Sequence, residues 1–515
     1  MTVSFGLPMH KRLLKSLILA LLLTGCGGSG TSHQGVAHYL DAIRNDPALL
    51  ALFVKGMPKG GDIHSHLVGV PYAESYLRWA ADDGACIDIT TWQILAAPCA
   101  DGSLPVAEVI ADQTLYDQAI DGLSMRNFPL EPPRYGHDHF FAVFSRFGLI
   151  SATHKPEMLA EAATRAAADQ TDYLELLITL QGDGLSQLID QLPWTGDLTT
   201  DYQTYVAGVR SLLAAGEAEI TDLVTRQRAI LGCEQVPAPP ACAVSIRFIQ
   251  QANRTSSNQW VFASLIFGAE MGARGTAVLG VDLVSPEDHP NALAHYGQHM
   301  AMLAFLRGKY PGLKISLHAG ELTGNLVAPS ELSFHISQAV RIAGANRLAH
   351  GVSLKREPDW QGLVADMANQ GVGLSILLTS NAQVLGVTGG DHPFLTYLDA
   401  GVPVMLGTDD QGISRSSHTE EFIRAIQDYG LTWHEVKRLV RTSLEQSFAP
   451  GGSLWRSFGT QPELELEPVP VTACEGLALG EVPSSACQSY LNANDKGAEQ
   501  WRLEGRLRRF ESRYW

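Results

Sequence analysis

The sequence predicts an α/β protein whose core is a (β/α)8 barrel of the TIM type. Eight short apolar runs alternate with helical patterns along the 515-residue chain, which is the order of parallel strands joined by helices. Most runs are apolar on both faces, as strands buried on both sides of a parallel sheet must be. Metal-binding side chains stand at the ends of four runs, where such a barrel places its active site.

The predicted strands are rich in Leu or β-branched residues, and they span 60–66, 172–178, 243–250, 276–283, 313–318, 347–351, 372–378 and 403–409. Helical patterns follow several of the later strands, at 288–309, 330–344, 360–370 and 393–400. Length alone allows more than one domain, but single barrels with insertions also reach this size. We therefore assign one barrel domain to residues 55–450.

Long insertions are predicted after the first and second strands of the barrel. The first covers residues 70–170 and contains a helical region at 135–150. The second includes an amphipathic stretch around 201–231. Because long loops at the top of a barrel surround its active site, we expect these insertions to shape a substrate pocket.

A C-terminal extension is predicted over residues 451–515, where the composition turns to Gly, Pro and Glu. Residues 461–490 are expected to form a loop ordered by a disulfide. Apolar side chains then recur at helical spacing over 493–515, from Trp501 to Trp515, which predicts a final amphipathic helix.

The N-terminus has the pattern of an export signal over residues 1–25. A basic segment precedes the apolar run 17–23, which is too short to span a bilayer. The following Leu23-Thr24-Gly25-Cys26 resembles a bacterial lipobox, so we expect lipidation of Cys26 and an anchor at a bacterial membrane, facing the periplasm or the exterior. A plain secretory signal cleaved nearby is the alternative. Residues 26–54 are predicted as a flexible tether, 27–33, and an N-terminal helix.

The charge of the chain excludes some partners. The formal net charge is −17, and residues 1–25 carry three Lys/Arg and no Asp/Glu, so the remainder carries −20. A strongly acidic protein is a poor partner for nucleic acid or for anionic lipid surfaces. We therefore expect no nucleic-acid partner and a membrane association that depends on the lipid anchor.

Six of the seven cysteines form three local pairs, each around a loop-like stretch: Cys86/Cys99, Cys233/Cys242 and Cys474/Cys487. Other connectivities are formally allowed, but local pairing is the simplest in an exported protein. Metal binding is the alternative, and no Cys-x-x-Cys spacing or neighbouring His supports it. Three disulfides agree with the export signal, because both indicate an oxidising compartment.

His64 and His66 lie two residues apart on the first predicted strand, so their side chains share a face. On that strand the shared face is the barrel interior, where two imidazoles are costly to bury unless they bind something. Neutral imidazoles suit Zn²⁺ or a similar divalent ion. A hydrogen-bonded pair of core histidines is the alternative. His137-Asp138-His139 has the same spacing in a helical region, and we assign it no metal role.

Three further strand ends carry metal-ligating or proton-transferring side chains: His318-Ala319-Gly320-Glu321, Ala349-His350-Gly351 and Thr408-Asp409-Asp410. A carboxylate three residues after a His can face a ligand without binding the metal and can transfer a proton. An Asp-Asp pair is usually a solvated loop or a helix cap, but this one follows a fully apolar run. Together with the first strand, these segments predict one mononuclear metal centre that activates water.

The same segments resemble the adenosine deaminase family of amidohydrolase-type metal-dependent hydrolases. The resemblance covers about residues 55–450 and rests on these elements in order: Met57-Pro58-Lys59, His64-x-His66, His318-Ala319-Gly320-Glu321, His350-Gly351 and Thr408-Asp409-Asp410. The export signal, the first insertion with Phe140-Phe141-x-x-Phe144 and the terminal helix are also similar to the secreted adenosine deaminase-related growth factor branch, here as a bacterial lipoprotein.

The resemblance implies a role for each residue at the strand ends. The ligands of one Zn²⁺ per chain would be His64, His66, His318 and Asp409. Glu321 would protonate the purine ring at N1, and His350 would orient the attacking water and help to deprotonate it. Purine contacts would come from Asp410, which matches the residue bonded to N7, and from Gly280, Asp282 and Ser285.

The implied activity is zinc-dependent hydrolytic deamination of adenosine or a related 6-aminopurine nucleoside, which gives the 6-oxo product and ammonia. Two alternatives remain open. One is a barrel metal hydrolase that acts on another C–N bond, in an amide or a modified adenine. The other is a non-catalytic adenosine-binding or signalling protein, against which the complete set of ligands and proton-transfer residues argues.

The chain departs from the family pattern at the predicted substrate pocket. Val68 stands where nucleoside deaminases often carry an acidic residue that contacts the ribose, and Ser285 stands where a glycine N–H meets the purine. Gln411 follows Asp410 where a proline is usual. These changes leave the metal chemistry intact, and they put the sugar side of the substrate in doubt.

Overall fold

The computed structural model describes residues 30–458 and 467–514, and a barrel of eight parallel strands lies at its centre. In chain order the barrel strands are β1 (Gly60–His66), β2 (Thr171–Ile178), β3 (Ser245–Asn253), β4 (Val278–Val284), β5 (Ser316–Ala319), β6 (Arg347–His350), β7 (Gly373–Ile376) and β8 (Val404–Leu406). These strands confirm the predicted (β/α)8 fold class. Their interior positions are almost all buried, which agrees with the apolar runs.

Neighbouring strands pair in chain order and close into a ring. One run of four pairs β1 with β2, β3 and β4, and a second run pairs β5 with β6, β7 and β8. Parallel bridges between Ser65 and Asp409 and between Val281 and Ile315 join the two runs. The join at β1 and β8 brings His64 and His66 beside Asp409, because His66 N–H donates to Asp409 O at 2.9 Å.

Several strands end earlier than predicted, next to residues of the candidate site. β7 stops at Ile376 because a helix begins at Leu378, and β8 stops at Leu406. His350 and Asp409 have φ angles of 68° and 57°. A non-glycine residue rarely adopts this left-handed conformation, and it cannot continue a strand. The turn redirects both side chains over the top of the barrel.

Helices follow the strands on the outside of the barrel: Gly182–Ile189 and Leu198–Leu231 after β2, Asn258–Ala273 after β3, Pro290–Lys309 after β4, Trp360–Gln370 after β6, Leu378–Leu385 and Phe394–Asp399 after β7, and Gln411–Ser414, His418–Tyr429 and Trp433–Glu445 after β8. The predicted helix at 330–344 is wrong as one helix. It is a 3₁₀ turn Glu331–Ser333, a short helix His335–Gln338 and a π-helix Ala339–Ala343, because Gly344 N–H bonds to Ala339 O five residues back.

The first insertion contains the helices Ala73–Asp82, Val106–Ala111, Gln113–Gly122, His137–Arg146, Gly148–Thr153 and Lys155–Ala168, with a small antiparallel sheet of Cys86–Asp88, Ile94–Leu95 and Ser103–Pro105. The predicted helical region 135–150 is therefore two helices. The break falls at Phe147 before Gly148, where the low helix propensity of glycine favours an end.

The chain termini pack together against the barrel. Helices Gly30–Ile43 and Pro47–Gly56 precede β1, and Ser485–Ala493 and Asp495–Glu511 end the described chain, after a two-stranded pair of Trp455–Ser457 and Val469–Pro470. The buried Arg441 makes two hydrogen bonds of 2.8 Å to the buried Glu504 of the last helix. The tether was predicted over 27–33, but the structure has a helix from Gly30 onward. The later turns of this helix pack through Val36 and Leu40, and adding a turn to a helix that has already formed costs little free energy.

Three disulfides join the cysteine pairs predicted from the sequence: Cys86–Cys99, Cys233–Cys242 and Cys474–Cys487. The predicted export signal, Cys26 and Trp515 lie outside the described residues, as does part of the predicted 461–490 loop. Within the described ranges, no helix is both long enough and apolar enough to cross a membrane.

Candidate metal centre and active site

Four of the predicted ligands meet at the top of the barrel. His64 and His66 come from β1, His318 from β5, and Asp409 follows β8. The Nε2 atom of His318 lies 3.2 Å from that of His64 and 3.0 Å from that of His66. Asp409 Oδ1 lies 3.5 Å and 3.3 Å from the same two imidazole nitrogens. These four atoms surround one point in space.

The spacing of these atoms fits a tetrahedral metal ion. Zinc–ligand bonds of about 2.0–2.1 Å place neighbouring ligand atoms about 3.3 Å apart, close to the distances observed. Within the described chain, Asp409 Oδ1 is buried without a hydrogen bond. Burial lowers the pKa of His64 to about 4, which keeps its imidazole neutral and able to bind a metal. The donor set of three imidazoles and a carboxylate therefore suits Zn²⁺.

Asp282 orients one of the ligands. Its Oδ1 lies 2.9 Å from His318 Nδ1 and accepts the backbone N–H of His318 at 3.1 Å. A proton held on Nδ1 leaves the Nε2 lone pair of His318 directed at the cluster. Asp282 was expected to contact the purine; here its carboxylate is fully buried against His318 and is not among the residues that line the cavity, and the purine contact stays a prediction.

Gly280 is also not among the residues that line the cavity, and its purine contact stays a prediction. A Cβ atom at this position would come within 2.5 Å of the carbonyl oxygen of Lys314. Gly280 therefore allows β4 to approach the chain that leads into β5. The residues of this segment that do line the cavity are Val284, Ser285 and Pro286, and Ser285 has a φ of 81°.

Glu321 and His350 lie side by side next to the ligands. Glu321 Oε1 is 3.7 Å from His350 Nδ1, and both side chains are buried. Burial, followed by the neighbouring Asp409 carboxylate, raises the pKa of Glu321 well above its ordinary value. A raised pKa favours the protonated form of the carboxyl group, which is the form that a general acid supplies.

A hydrogen-bond chain fixes the orientation of His350. Asn381 Nδ2 lies 2.9 Å from His350 Nδ1, and Asn381 Oδ1 lies 3.0 Å from His392 Nε2. Because the amide oxygen faces His392, the amide donates to His350 and leaves the imidazole proton on Nε2. Burial lowers the pKa of His350 below its ordinary value, so the ring is neutral.

Asp410 lies beside the four candidate ligands, in a space that is open because residue 69 is a glycine. A Cβ atom on Gly69 would come within 1.6 Å of Asp410 Oδ1. Burial, together with the Asp409 carboxylate, raises the pKa of Asp410 to about 8, against the opposing effect of His66. The side chain is thus protonated at neutral pH, and it lines the cavity as a hydrogen-bond donor.

The cavity above these residues has a volume of about 230 Å³. Phe140, Phe141 and Phe144 of the first insertion form one wall, and Ser285 and Pro286 form another. Val68 lies at the edge of the cavity. An apolar wall that faces two carboxyl groups with raised pKa values suits a flat, weakly polar ring with hydrogen-bond acceptors.

Other residues of the site were not anticipated from the sequence. Asp62 Oδ2 accepts the hydroxyl proton of Thr408 at 2.6 Å and so joins β1 to the segment after β8. Glu287 accepts backbone N–H groups at Gly320 and Glu321. Asp62 and Asp282 are acidic residues within apolar predicted strands, and this pattern could have indicated that they belong to the site. The contacts of Glu287, Gln251 and Asn381 span distant loops and leave no local signal.

The adenosine deaminase family model matches residues 149–453. This chain belongs to the adenosine deaminase family. The matched segment contains His318, Glu321, His350 and Asp409, whereas His64 and His66 lie before it and are brought to the site by the fold.

Curated relatives align over parts of their lengths. An adenosine deaminase of Yersinia pseudotuberculosis (strain YPIII) is 30% identical over 207 residues, which are 40% of this chain and 56% of the relative. An adenosine deaminase of Serratia proteamaculans is 33% identical over 145 residues, or 28% of this chain and 40% of the relative. The chain thus spans about half the length of the curated relatives that it matches.

Solved structures share the barrel. The apo N6-methyl-AMP deaminase of Arabidopsis thaliana superposes with a TM-score of 0.51 at 17% identity, over 78% of this chain and 94% of that chain. The Arabidopsis ADAL protein in complex with IMP has a TM-score of 0.51 at 18% identity, over 77% and 93%. At such identities the likeness concerns the fold.

Proposed function

We propose that this adenosine deaminase family member catalyses the zinc-dependent hydrolytic deamination of adenosine or a closely related 6-aminopurine nucleoside. The observation that carries the proposal is the convergence of His64, His66, His318 and Asp409 beside the buried Glu321, whose Oε1 lies 3.7 Å from His350 Nδ1. Zinc bound by these four residues would supply the Lewis acidity that makes water nucleophilic near neutral pH.

The side chains around the four metal-binding residues transfer the protons, orient the water and hold the base. Glu321 donates a proton to ring nitrogen N1 while a water oxygen bonds to C6, and the amino group leaves as ammonia. Because its Nδ1 accepts from Asn381, neutral His350 donates its Nε2–H to the water oxygen and orients it. One water proton passes to the Glu321 carboxylate after that group has protonated N1, and the remaining hydroxyl proton leaves with the amino group as ammonia. Protonated Asp410 donates a hydrogen bond to N7, an acceptor on the edge of the base.

A neutral nucleoside fits the charges of the site better than a nucleotide. None of the described residues that line the cavity is a lysine or an arginine. In the groove next to it, Lys155 Nζ is paired with Glu219 Oε1 at 2.8 Å. A phosphate would lose its hydration there without gaining a free cation in return.

The proposal is tested by a screen of the purified, zinc-loaded protein for ammonia release from adenosine, deoxyadenosine, adenine and AMP, and for methylamine release from N6-methyladenosine. We expect the highest kcat/KM with one of the two 6-aminonucleosides. Glu321→Gln should retain the metal and lose kcat by about 100-fold or more, the range for a general acid. Glu234→Gln, at an exposed position outside the site, serves as the matched control.

Two results would contradict the proposal. Near-normal turnover by Glu321→Gln would remove this residue as the proton donor. Release of ammonia from none of the purines, by protein that holds its zinc, would favour the non-catalytic binding protein or a hydrolase of a different C–N bond.

We also propose that the protein is exported and anchored through a lipid on Cys26. The lipobox-like sequence supports this, and so do three disulfides, which persist in oxidising compartments. In expressing bacteria, a labelled fatty acid should enter the wild-type protein and not Cys26→Ser. Equal labelling of both would contradict the anchor.

A further inference from the structure

A second, more open groove adjoins the metal-site cavity. It has a volume of about 510 Å³ and lies over the end of β2, between Thr179 and the first turn of the helix Gly182–Ile189. Val68 and Gln251 line both spaces, so they form the wall that the cavity and the groove share. The cavity and the groove are therefore neighbouring compartments at the top of the barrel.

Gln251 offers an unused hydrogen-bond acceptor at this shared wall. Its Nε2 donates to Thr179 Oγ1 at 3.1 Å. Its Oε1 is buried and has no hydrogen-bond partner among the described residues. Buried amide oxygens are normally paired, so a lone one at the wall of a binding space points to a donor on a ligand.

The size of the cavity indicates where such a ligand would extend. Its volume of about 230 Å³ is below the approximate range of 300–1,000 Å³ typical of small-molecule sites. The cavity is therefore small for a base that carries a bulky substituent, which needs further space. The adjoining groove provides that space, and Gln251 stands at the passage into it.

The groove suits a neutral, hydroxyl-bearing substituent. Lys155 is paired with Glu219, whose other carboxylate oxygen accepts from the Gln181 side chain at 2.9 Å. Asp183 adds a further carboxylate to the lining. Val68 cannot form a side-chain hydrogen bond, so at the shared wall this role falls to Gln251.

We propose that this groove receives the N9 sugar of the substrate and that Gln251 Oε1 accepts a hydrogen bond from a sugar hydroxyl. The inference rests on the proposed deamination of a purine nucleoside, and it assigns the recognition of the sugar to a residue outside the catalytic set. It explains how a pocket with Val68 at its edge can still select a nucleoside over a free base.

Calorimetric binding of reaction products tests the proposal without turnover. Inosine carries the sugar, and hypoxanthine is the same base without it. Gln251→Met, which keeps the length of the side chain and removes the acceptor, should weaken inosine binding by about 10-fold, the effect of one neutral hydrogen bond. Hypoxanthine binding should change by less than about twofold. Gln251→Glu keeps an acceptor oxygen and should bind inosine more tightly than Gln251→Met.

Each outcome separates the two hypotheses. Equal effects of Gln251→Met on inosine and hypoxanthine, or no effect on either, would overturn the role of Gln251 while the proposed function stands. IMP that binds at least 10-fold more tightly than inosine would overturn the neutral character of the groove. If the zinc-loaded wild type binds neither product and deaminates no purine, the proposed function fails and the inference fails with it. Unchanged zinc content and thermal unfolding of the variants exclude misfolding.

Discussion

The Asp282 carboxylate accepts the Nδ1 proton of His318 at 2.9 Å and the backbone N–H of the same residue at 3.1 Å. This pair of contacts holds the ring of His318 between His64 and His66, with Nε2 free for a metal. Asp282 therefore belongs to the metal centre, although no atom of it is a ligand.

Replacing Asp282 should weaken metal binding. Partners that orient a metal-bound histidine typically contribute 10–100-fold in metal affinity. We expect Asp282→Ala to raise the zinc dissociation constant by about that factor in competition with a chelator. Asp288→Asn, six residues along the same segment and paired with His137 instead, is the control. An unchanged affinity in Asp282→Ala would show that His318 is oriented by other contacts.

Glu287 should control catalysis through the turn that carries Glu321. Its carboxylate accepts the backbone N–H groups of Gly320 at 3.1 Å and Glu321 at 2.7 Å, and it lies 2.6 Å from His335 Nδ1. Glu287→Gln places an amide against one of these donors, so the turn should shift. We expect kcat to fall by about 10–100-fold, as for small misplacements of reacting groups, with KM and zinc content nearly unchanged. Wild-type kcat would exclude this positioning role.

Acid should destabilise the protein partly through Glu287. Burial raises the pKa of Glu287, but Arg254 and His335 outweigh it and lower the pKa to about 2. The unfolded carboxyl has a pKa of about 4.3, so the unfolded state binds more protons between these values. The stabilisation is complete above about pH 4.5 and is lost as the pH falls toward 2, on the order of 3 kcal/mol.

Urea unfolding of metal-free wild type and Glu287→Gln at pH 3 and pH 6 measures this contribution. The wild type should lose more free energy of unfolding between the two pH values than the variant does. Parallel losses in both proteins would mean that Glu287 does not contribute to the acid sensitivity.

The barrel could be predicted because each of its strands has a recognisable local sequence pattern. Each is a short apolar run, and the parallel, doubly buried arrangement leaves few alternatives. The exact strand ends could not be predicted, since the left-handed turns at His350 and Asp409 depend on contacts across the barrel. The π-helix at Ala339–Ala343 was missed for the same reason, because its residues are ordinary helix formers.

The ligand set was visible in the sequence because each ligand stands at the end of a predicted strand. The contacts of several residues around the ligands were missed. The family resemblance implied that Asp282 contacts the purine, whereas in the structure its carboxylate bonds to His318. Gln251 and Glu287 act through partners in other loops, and a single sequence carries no pattern for those pairings.

Two disulfides of equal loop length should differ in their effect on stability. Cys86–Cys99 and Cys474–Cys487 both have a sequence separation of 13, so chain entropy predicts about 3 kcal/mol for each. Cys474 and Cys487 are both fully buried in a separate apolar cluster with Leu454 and Trp501, whereas Cys99 is exposed.

We therefore expect Cys474→Ala/Cys487→Ala to cost about 1 kcal/mol more than Cys86→Ala/Cys99→Ala, because it removes two buried sulfur atoms and the other pair removes one, that of Cys86. Chemical denaturation followed by circular dichroism compares the two double variants. Equal costs would mean that the packing of the C-terminal cluster adds nothing to its disulfide.

The central claim is that His64, His66, His318 and Asp409 form one zinc site that supports purine deamination. The most direct measurement is a titration of metal-free protein with zinc, in which ammonia release from adenosine is recorded beside the bound zinc per chain. Activity should rise in proportion to bound zinc and reach its maximum at about one zinc per chain, and His318→Ala should bind less zinc and remain inactive. Full activity in the metal-free protein, or none at one bound zinc, would contradict the claim.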